Sequence, residues 1–264
     1  MPQPTVSVVM PAFNSERYVL QAIQSVQAQT SQDWELLVVD GGSRDQTRAI
    51  VSRLAADDPR VRLLPNPNDM GPAHARCTGV LAARGEYVAF LDADDLWLRE
   101  KLDLQISVMR KHGIRFSYGR FRNMSEDGAR NGCLIPVRRS FSFWQMLRHR
   151  GIGTLTVVVE RALLTPDVIS VWRRAGGEEC MWWLLMLRKG LVAHLFDRDI
   201  GRYRDTGGSL SKNVMFTLRS VWQMYRDNLQ LPLYTALPSY ACYLVSTALR
   251  KARVQLCVRV KGYR

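Results

Sequence analysis

The chain has 264 residues, of which 47% are hydrophobic, so it can bury the core of one large domain. Its net charge of +13 is uneven, because residues 1–100 carry 9 basic and 13 acidic side chains and residues 101–264 carry 28 and 11. The basic half predicts a polyanionic partner, which can be nucleic acid, an anionic membrane surface or a phosphate-bearing substrate.

The five cysteines are odd in number and far apart, and no pair has the spacing of a zinc or redox motif. We therefore expect a reducing compartment. The first residues, Met-Pro-Gln-Pro-Thr, lack a basic region followed by an apolar stretch, so we expect no secretory signal and a cytoplasmic protein.

Short apolar runs alternate with amphipathic segments through the first hundred residues. The predicted strands are 6–10 (ended by Pro11), 35–39, 61–64 and 87–91, and the predicted helices are one capped at 14–16 that runs to Val26, then 45–56, 72–83 and one from near Leu98. This order with short connections predicts an α/β fold with a mostly parallel sheet flanked by helices.

Three carboxylates, Asp92, Asp94 and Asp95, follow the apolar run 87–91. Ligands of parallel sheets collect beyond the carboxyl ends of the strands, and crowded carboxylates there favour a hard divalent ion such as Mg²⁺ or Mn²⁺. The alternative is that Asp94 and Asp95 cap the helix that follows.

Two other strand ends carry polar residues that suit a nucleotide. The turn Asp40-Gly-Gly-Ser-Arg-Asp45 and the segment Pro11-Ala-Phe-Asn14 should reach the same edge of the sheet as Asp92. Asp40 could accept the imino hydrogen of a pyrimidine, Asp92 could hold a ribose hydroxyl, and Asp94 could bind a metal that bridges two phosphates.

These segments together resemble the family 2 glycosyltransferases of bacterial polysaccharide synthesis. The matching stretches are 6–16, 35–47, 68–76 and 85–98. The resemblance implies a GT-A (Rossmann-like) fold, a UDP-linked nucleotide-sugar donor, and a Mn²⁺ or Mg²⁺ cofactor on Asp94. It implies that the nucleotide is bound by Pro11, Ala12, Asn14, Glu16, Asp40, Arg76 and Asp92.

The second half contains two segments that are similar to the same family. Glu178-Glu-Cys-Met-Trp-Trp-Leu184 resembles the segment that supplies the catalytic base, which implies this role for Glu179, with Glu178 beside it. Residues 202–213 resemble the segment that closes over the diphosphate, and the implied ligands are Arg204, Ser209, Ser211 and Lys212. One base and one metal predict a single displacement with inversion at the sugar.

The carboxyl-terminal segment indicates what kind of acceptor the enzyme would use. Residues 228–249 are uncharged and are followed by Arg250-Lys-Ala-Arg253, which favours an amphipathic helix on an anionic membrane surface over core packing or a membrane span. We therefore expect a saccharide acceptor that is lipid-linked, and a peripheral location on the inner face of the cytoplasmic membrane. The predicted catalytic domain is 1–215, with halves 1–100 and 101–215, and 216–264 forms a helical extension.

Two other functions compete with glycosyl transfer. A sugar nucleotidyltransferase would share the sheet and the carboxylates, but it normally has a glycine-rich phosphate loop after the first strand, which Pro11-Ala-Phe-Asn14 is not. A nucleic-acid-binding protein would explain the basic half, but acidic strand ends repel phosphate, so we expect no nucleic-acid partner.

Overall fold

The computed structural model describes residues 3–66, 71–170, 178–206 and 214–261. The strands are β1 (Val6–Ala12), β2 (Trp34–Asp40), β3 (Val61–Pro65), β4 (Tyr87–Phe90), β5 (Leu96–Trp97), β6 (Phe116–Met124), β7 (Asn131–Leu134), β8 (Ser140–Phe141), β9 (Val158–Glu160) and β10 (Ala193–Arg204). The helices are α1 (Val19–Gln27), α2 (Thr47–Asp57), α3 (Pro72–Ala82), α4 (Lys101–His112), α5 (Phe143–Arg148), α6 (Pro166–Ile169), α7 (Glu178–Arg188), α8 (Val214–Gln223) and α9 (Leu233–Lys261).

These strands form one sheet in the order β3-β2-β1-β4-β9-β6-β10-β5, with β7 paired to β6 and β8 paired to β10. Strands β3, β2, β1 and β4 are parallel to one another, and β6 is parallel to β10. The short strand β9 is antiparallel to both β4 and β6 and joins the two parallel parts. The carboxyl ends of β1, β2 and β4 therefore open onto one edge, as the sequence predicts.

Alternate residues of the central strands face two separate apolar layers. Val6, Val8 and Met10 of β1 pack under α1 and α4, whereas Val9 packs on the opposite face with α3 and α7. Because helices cover both faces, β1, β2 and β4 are buried at every position, which explains their continuous apolar runs.

The expectation that Pro11 ends the first strand is wrong, because β1 continues through Pro11 to Ala12. The carbonyl of Val9 accepts the N–H of Leu91, and the last residue pair between β1 and β4 is Val9 with Phe90. Because backbone groups two residues apart in a strand point to the same side, the nitrogen of Pro11 also points toward β4, beyond the last residue pair of β1 and β4. The missing N–H of proline therefore costs no sheet hydrogen bond.

Two predicted helix caps are not used in the structure. Helix α1 begins at Val19 after Tyr18, without a side-chain cap from residues 14–16. Helix α4 begins at Lys101 after Glu100, so Asp94 and Asp95 lie too far upstream to cap it. The alternative assignment of this aspartate pair as helix caps is therefore wrong.

Helix α9 packs through one face on the protein core and exposes the other. Ala236 and Tyr243 are buried, the Ser246 hydroxyl donates to the carbonyl of Arg148, and Arg250 donates to the carbonyl of Arg150. Core packing and an exposed apolar face thus coexist on this helix. Within the described ranges, no helix is both long and apolar enough to cross a bilayer.

One cysteine differs from what the expected reducing compartment would favour. Cys77, Cys180 and Cys242 are free, whereas Cys133 is disulfide-bonded. The spacing of cysteines along the chain did not indicate this bond, since cysteines distant in sequence are brought together only by the fold.

Candidate active site

The turn after β2 is built around Asp40. This carboxylate is 4% exposed and accepts the backbone N–H groups of Gly42, at 3.3 Å, and Ser43, at 3.2 Å. Gly42 has a φ of +87°, a conformation that glycine adopts without strain. Asp40 therefore shapes the turn through lone pairs that a nucleotide base would otherwise use. Its predicted contact with a base stays a prediction.

The loops after β1 and β2 are tied to each other by Asn14 and Glu16. The Asn14 side-chain oxygen accepts the N–H of Arg44 at 2.9 Å, and the Glu16 carboxylate accepts the N–H of Gln46 at 2.8 Å. Buried Pro11 and Ala12 end the strand that leads into this pair of loops. Asn14 and Glu16 thus hold the two loops together, and these contacts are with protein groups.

The three aspartates after β4 have different surroundings. Asp92 is partly exposed, Asp94 is half-buried, and Asp95 is 1% exposed with an Oδ2 atom that has no hydrogen-bond partner among the described groups. Burial, followed by the charge of Asp92, raises the pKa of Asp94 to about 6. Burial and the charges of Asp94 and Asp92 also raise the pKa of Asp95. The charges of Arg204 and Arg76 lower the pKa of Asp94, but they offset the effects of burial and of Asp92 only in part.

Arg204, predicted to bind the diphosphate, is almost completely buried. Its guanidinium donates to the carbonyls of Asp94, at 2.7 Å, and Glu126, at 2.7 Å, and to Gln21 at 2.8 Å. Its backbone N–H donates to the Asp95 carboxylate at 2.9 Å. Arg204 therefore holds the backbone around Asp94 in place through these hydrogen bonds. The described geometry does not support the predicted contact with phosphate.

Arg76 joins two carboxylates that come from distant parts of the chain. It lies on α3 with a side chain that is 5% exposed, and its two terminal nitrogens contact Asp92, after β4, and Glu179, on α7. The predicted ribose ligand and the predicted base thus share one guanidinium. The sequence indicated all three residues but not this connection between them.

Aromatic packing explains why Glu179 lies at this edge. Trp183 is one helical turn after Glu179, and its ring centroid is 5.5 Å from that of Phe90, the last residue of β4. Trp182 and Trp183 are both 1% exposed. The first turn of α7 is therefore held against the end of β4, with the Glu179 side chain 15% exposed.

Several predicted residues cannot be placed. Ser209, Ser211 and Lys212 lie outside the described residues. Glu178 is the first residue of α7, and the structure describes its backbone only.

A divalent ion fits this edge only with help from a ligand. In the described part of the chain no three acidic, histidine or cysteine side chains cluster as a metal site. The Asp95 oxygen without a described partner and the repulsion between Asp92 and Asp94 are nevertheless features that a bound cation would stabilise. Mg²⁺ and Mn²⁺ bind carboxylates and complete their shells with water and phosphate oxygens, so Asp94 and a diphosphate would hold one together.

Comparison with known proteins decides the class. The model of the family "Glycosyl transferase family 2" matches residues 7–175. The chain belongs to this family. It is 35% identical over 229 residues to the UDP-Glc:alpha-D-GlcNAc-diphosphoundecaprenol beta-1,3-glucosyltransferase WfgD of Escherichia coli, a match that covers 86% of this chain and 88% of WfgD.

Solved structures share the fold at low sequence identity. S. aureus TarS 1–349 in complex with UDP-GlcNAc superposes with a TM-score of 0.68 at 19% identity, over 91% of this chain and 71% of that one. A mannosyltransferase from Pyrobaculum calidifontis, in complex with GDP-Man and Mn²⁺, superposes with a TM-score of 0.65 at 19% sequence identity. The match covers 99% of this chain and 81% of the mannosyltransferase. The predicted family and GT-A fold are confirmed, and this family 2 glycosyltransferase is an enzyme.

Proposed function

We propose that this family 2 glycosyltransferase transfers a sugar from a UDP-linked donor to a lipid-linked saccharide, with inversion, in the synthesis of a bacterial surface polysaccharide. WfgD uses UDP-Glc and a GlcNAc-diphosphoundecaprenol acceptor by its name, and its match extends over most of both chains. A sugar nucleotidyltransferase and a nucleic-acid-binding protein have no comparable support.

The contact of Arg76 with both Asp92 and Glu179 carries this proposal. Arg76 contacts both Glu179, a carboxylate that can act as a base, and Asp92, a carboxylate that can hold the donor. A glycosyl transfer needs this juxtaposition, because the attacking hydroxyl and the anomeric carbon must meet in a near-attack geometry.

Glu179 would remove the proton from the acceptor hydroxyl as that oxygen attacks the anomeric carbon. Arg76 holds Oε1 of Glu179, so Oε2 is the atom that would take the proton. The buried position of Arg76 between two carboxylates also fixes the direction in which the base points. Attack from the side opposite the leaving diphosphate then inverts the anomeric configuration.

The leaving diphosphate gains charge as the sugar departs. Asp94 would hold a Mn²⁺ or Mg²⁺ ion there, and this ion would neutralise the developing charge. Arg204 keeps the Asp94 backbone in place through its carbonyl oxygen. Ser209, Ser211 and Lys212 remain candidates for phosphate contacts.

An anionic membrane surface is the proposed location of the enzyme. The outward face of α9 exposes Leu233, Tyr234, Leu237, Leu244, Val245 and Leu249, and Lys251 and Arg253 follow on the same helix. Residues 228–264 contain no acidic side chain. An apolar helix face with basic neighbours favours binding to anionic lipid head groups, where a lipid-linked acceptor resides.

A donor panel tests the reaction. Nucleotide sugars are supplied with Mn²⁺ or Mg²⁺ and a lipid-linked GlcNAc acceptor, and released nucleoside diphosphate is measured for the wild type, Asp94→Ala and the exposed-site control Asp103→Ala. We expect release from a UDP-sugar by the wild type and the control, and a loss of at least tenfold in Asp94→Ala. Release by no donor, or equal release by Asp94→Ala, would contradict the proposal.

A further inference from the structure

Arg150 lies next to the residue that follows the candidate base, and it has no acidic partner among the described side chains. It follows α5, and its Nε donates to the sulfur of Cys180 at 3.0 Å, the residue directly after Glu179. Its described neighbours also include the Met224 sulfur, 3.9 Å from Nη2, the Tyr243 ring, 5.8 Å away, and Tyr225. Sulfur and aromatic rings are weak acceptors, so much of the hydrogen-bonding capacity of this guanidinium is unused.

Arg250 of α9 brings a second guanidinium to the same place. It donates to the backbone carbonyl of Arg150, and burial together with the charge of Arg150 lowers its pKa.

The surroundings of the two arginines are basic. Burial and then the charges of Arg138 and Arg148 lower the pKa of His149. Of the ion pairs formed within the described ranges, none includes Arg150 or Arg250. Partly buried arginines are normally paired with anions, since removing their charge from water is costly. A ligand can supply that anion.

We propose that Arg150 and Arg250 form a binding site for the diphosphate of the lipid-linked acceptor, separate from the site of the donor diphosphate. Arginine suits this ligand, because its planar guanidinium binds phosphate oxygens in pairs. This inference rests on the proposed function, which supplies the acceptor.

The order of groups in the protein matches the order of groups in such an acceptor. Glu179 lies at the reacting edge, Arg150 contacts its neighbour Cys180, and Arg250 connects Arg150 to α9 with its exposed apolar face. A lipid-linked acceptor presents a sugar hydroxyl, a diphosphate and an apolar chain in the same sequence. All three parts can be engaged at once along this path.

Two probes that differ only in the diphosphate test the site. Calorimetry with UDP present, so that the donor site is filled, measures binding of octyl-diphosphate-linked GlcNAc and of octyl GlcNAc. We expect the wild type to bind the first probe at least tenfold more tightly. Arg250→Gln and Arg150→Lys should reduce this preference to less than threefold, whereas Arg253→Gln, one turn along α9 and exposed, should retain it.

Equal binding of the two probes by the wild type, or a preference retained in Arg250→Gln, overturns the proposal. Circular dichroism shows whether each variant is folded. If Arg250→Gln is not folded, Arg250→Lys takes its place in the binding measurement. Failure of the proposed function gives a different result, because the enzyme would then release no UDP from any UDP-sugar. The binding measurement does not depend on UDP release, so the two failures can be told apart.

Discussion

Arg76 has a position that local sequence could not reveal. Its place in the segment Ala73-His-Ala-Arg76 predicted a nucleotide contact, but its contact with Glu179 depends on how α7 packs against β4. Arg204 shows the opposite case: its cluster of basic and hydroxyl neighbours indicated phosphate binding, whereas burial directs the guanidinium to backbone carbonyls. Residue type and spacing predicted the site residues, but their contacts depend on tertiary packing.

The identity of the base gives the first prediction. Glu179→Gln should lower kcat by about 10²- to 10⁴-fold with little change in KM for the donor, because the amide cannot accept the proton. Glu178→Gln is the matched control and should retain at least a third of the wild-type rate. Both are measured as UDP release in the presence of acceptor. If Glu178→Gln loses activity and Glu179→Gln does not, the base has been assigned to the wrong residue.

Lys101 gives a prediction about pH and stability. Its Nζ is buried over the Trp97 ring, 4.1 Å from the centroid, without a hydrogen-bond partner among the described groups, and burial lowers its pKa to about 7. Between about pH 7 and about pH 10 the unfolded chain holds this proton and the folded chain does not. The free energy of unfolding should therefore rise with pH through this interval.

Lys101→Met should remove this dependence. We expect the variant to be more stable than the wild type at pH 7, by roughly 3 kcal/mol, with the difference shrinking by pH 9.5. Urea unfolding at both values of pH measures it, and exposed Lys111→Met in the same helix serves as control. The same difference at both pH values would show that Lys101 does not titrate in this range.

At the scale of elements, strand and helix order was predictable because apolar runs covered on both faces differ from amphipathic helices. Strands β1 to β4 and helices α1 to α4 lie where the sequence places them, within a few residues. The ends of the elements were less predictable. Strand β1 continues through Pro11 because its pairing with β4 has already ended there, and α1 begins without a side-chain cap. The antiparallel insertion of β9 carries no local signal.

The packing of α3 on the sheet gives a prediction about an element. A Cβ at Gly79 would lie 2.4 Å from Cγ1 of Val9 and 3.3 Å from Cγ2 of Val39. Gly79→Ala should therefore destabilise the protein by about 1–3 kcal/mol, although alanine favours a helix by about 1 kcal/mol. Urea unfolding measures the loss.

The double variant Gly79→Ala with Val9→Ala tests the cause. Removing the Val9 methyl groups makes room for the new Cβ, so the double variant should lose less stability than the sum of the single losses. Additive losses would mean that α3 does not approach β1 as closely as the structure shows.

At the scale of the molecule, charge distribution predicted an anionic partner but not its position. The uncharged segment 228–249 indicated an interfacial helix, and the structure adds that its opposite face is part of the core. Deleting α9 would therefore remove core packing as well as the outward face. Substitutions on the exposed face separate the two effects.

Membrane binding is predicted to depend on this face. Leu237→Glu combined with Val245→Glu should abolish flotation with vesicles that contain phosphatidylglycerol, because the carboxylates oppose both apolar and electrostatic contact. The control Leu81→Glu alters a leucine that is 71% exposed on α3 and should float like the wild type. Unchanged flotation of the α9 variant would exclude this face as the membrane contact.

The stereochemistry of the product tests the central claim most directly. The wild-type enzyme is given an α-configured UDP-sugar that it accepts, together with a lipid-linked acceptor, and NMR determines the anomeric configuration of the new linkage. One displacement assisted by Glu179 predicts a β-linkage. An α-linkage would contradict the account, because retention requires a different arrangement of reacting groups.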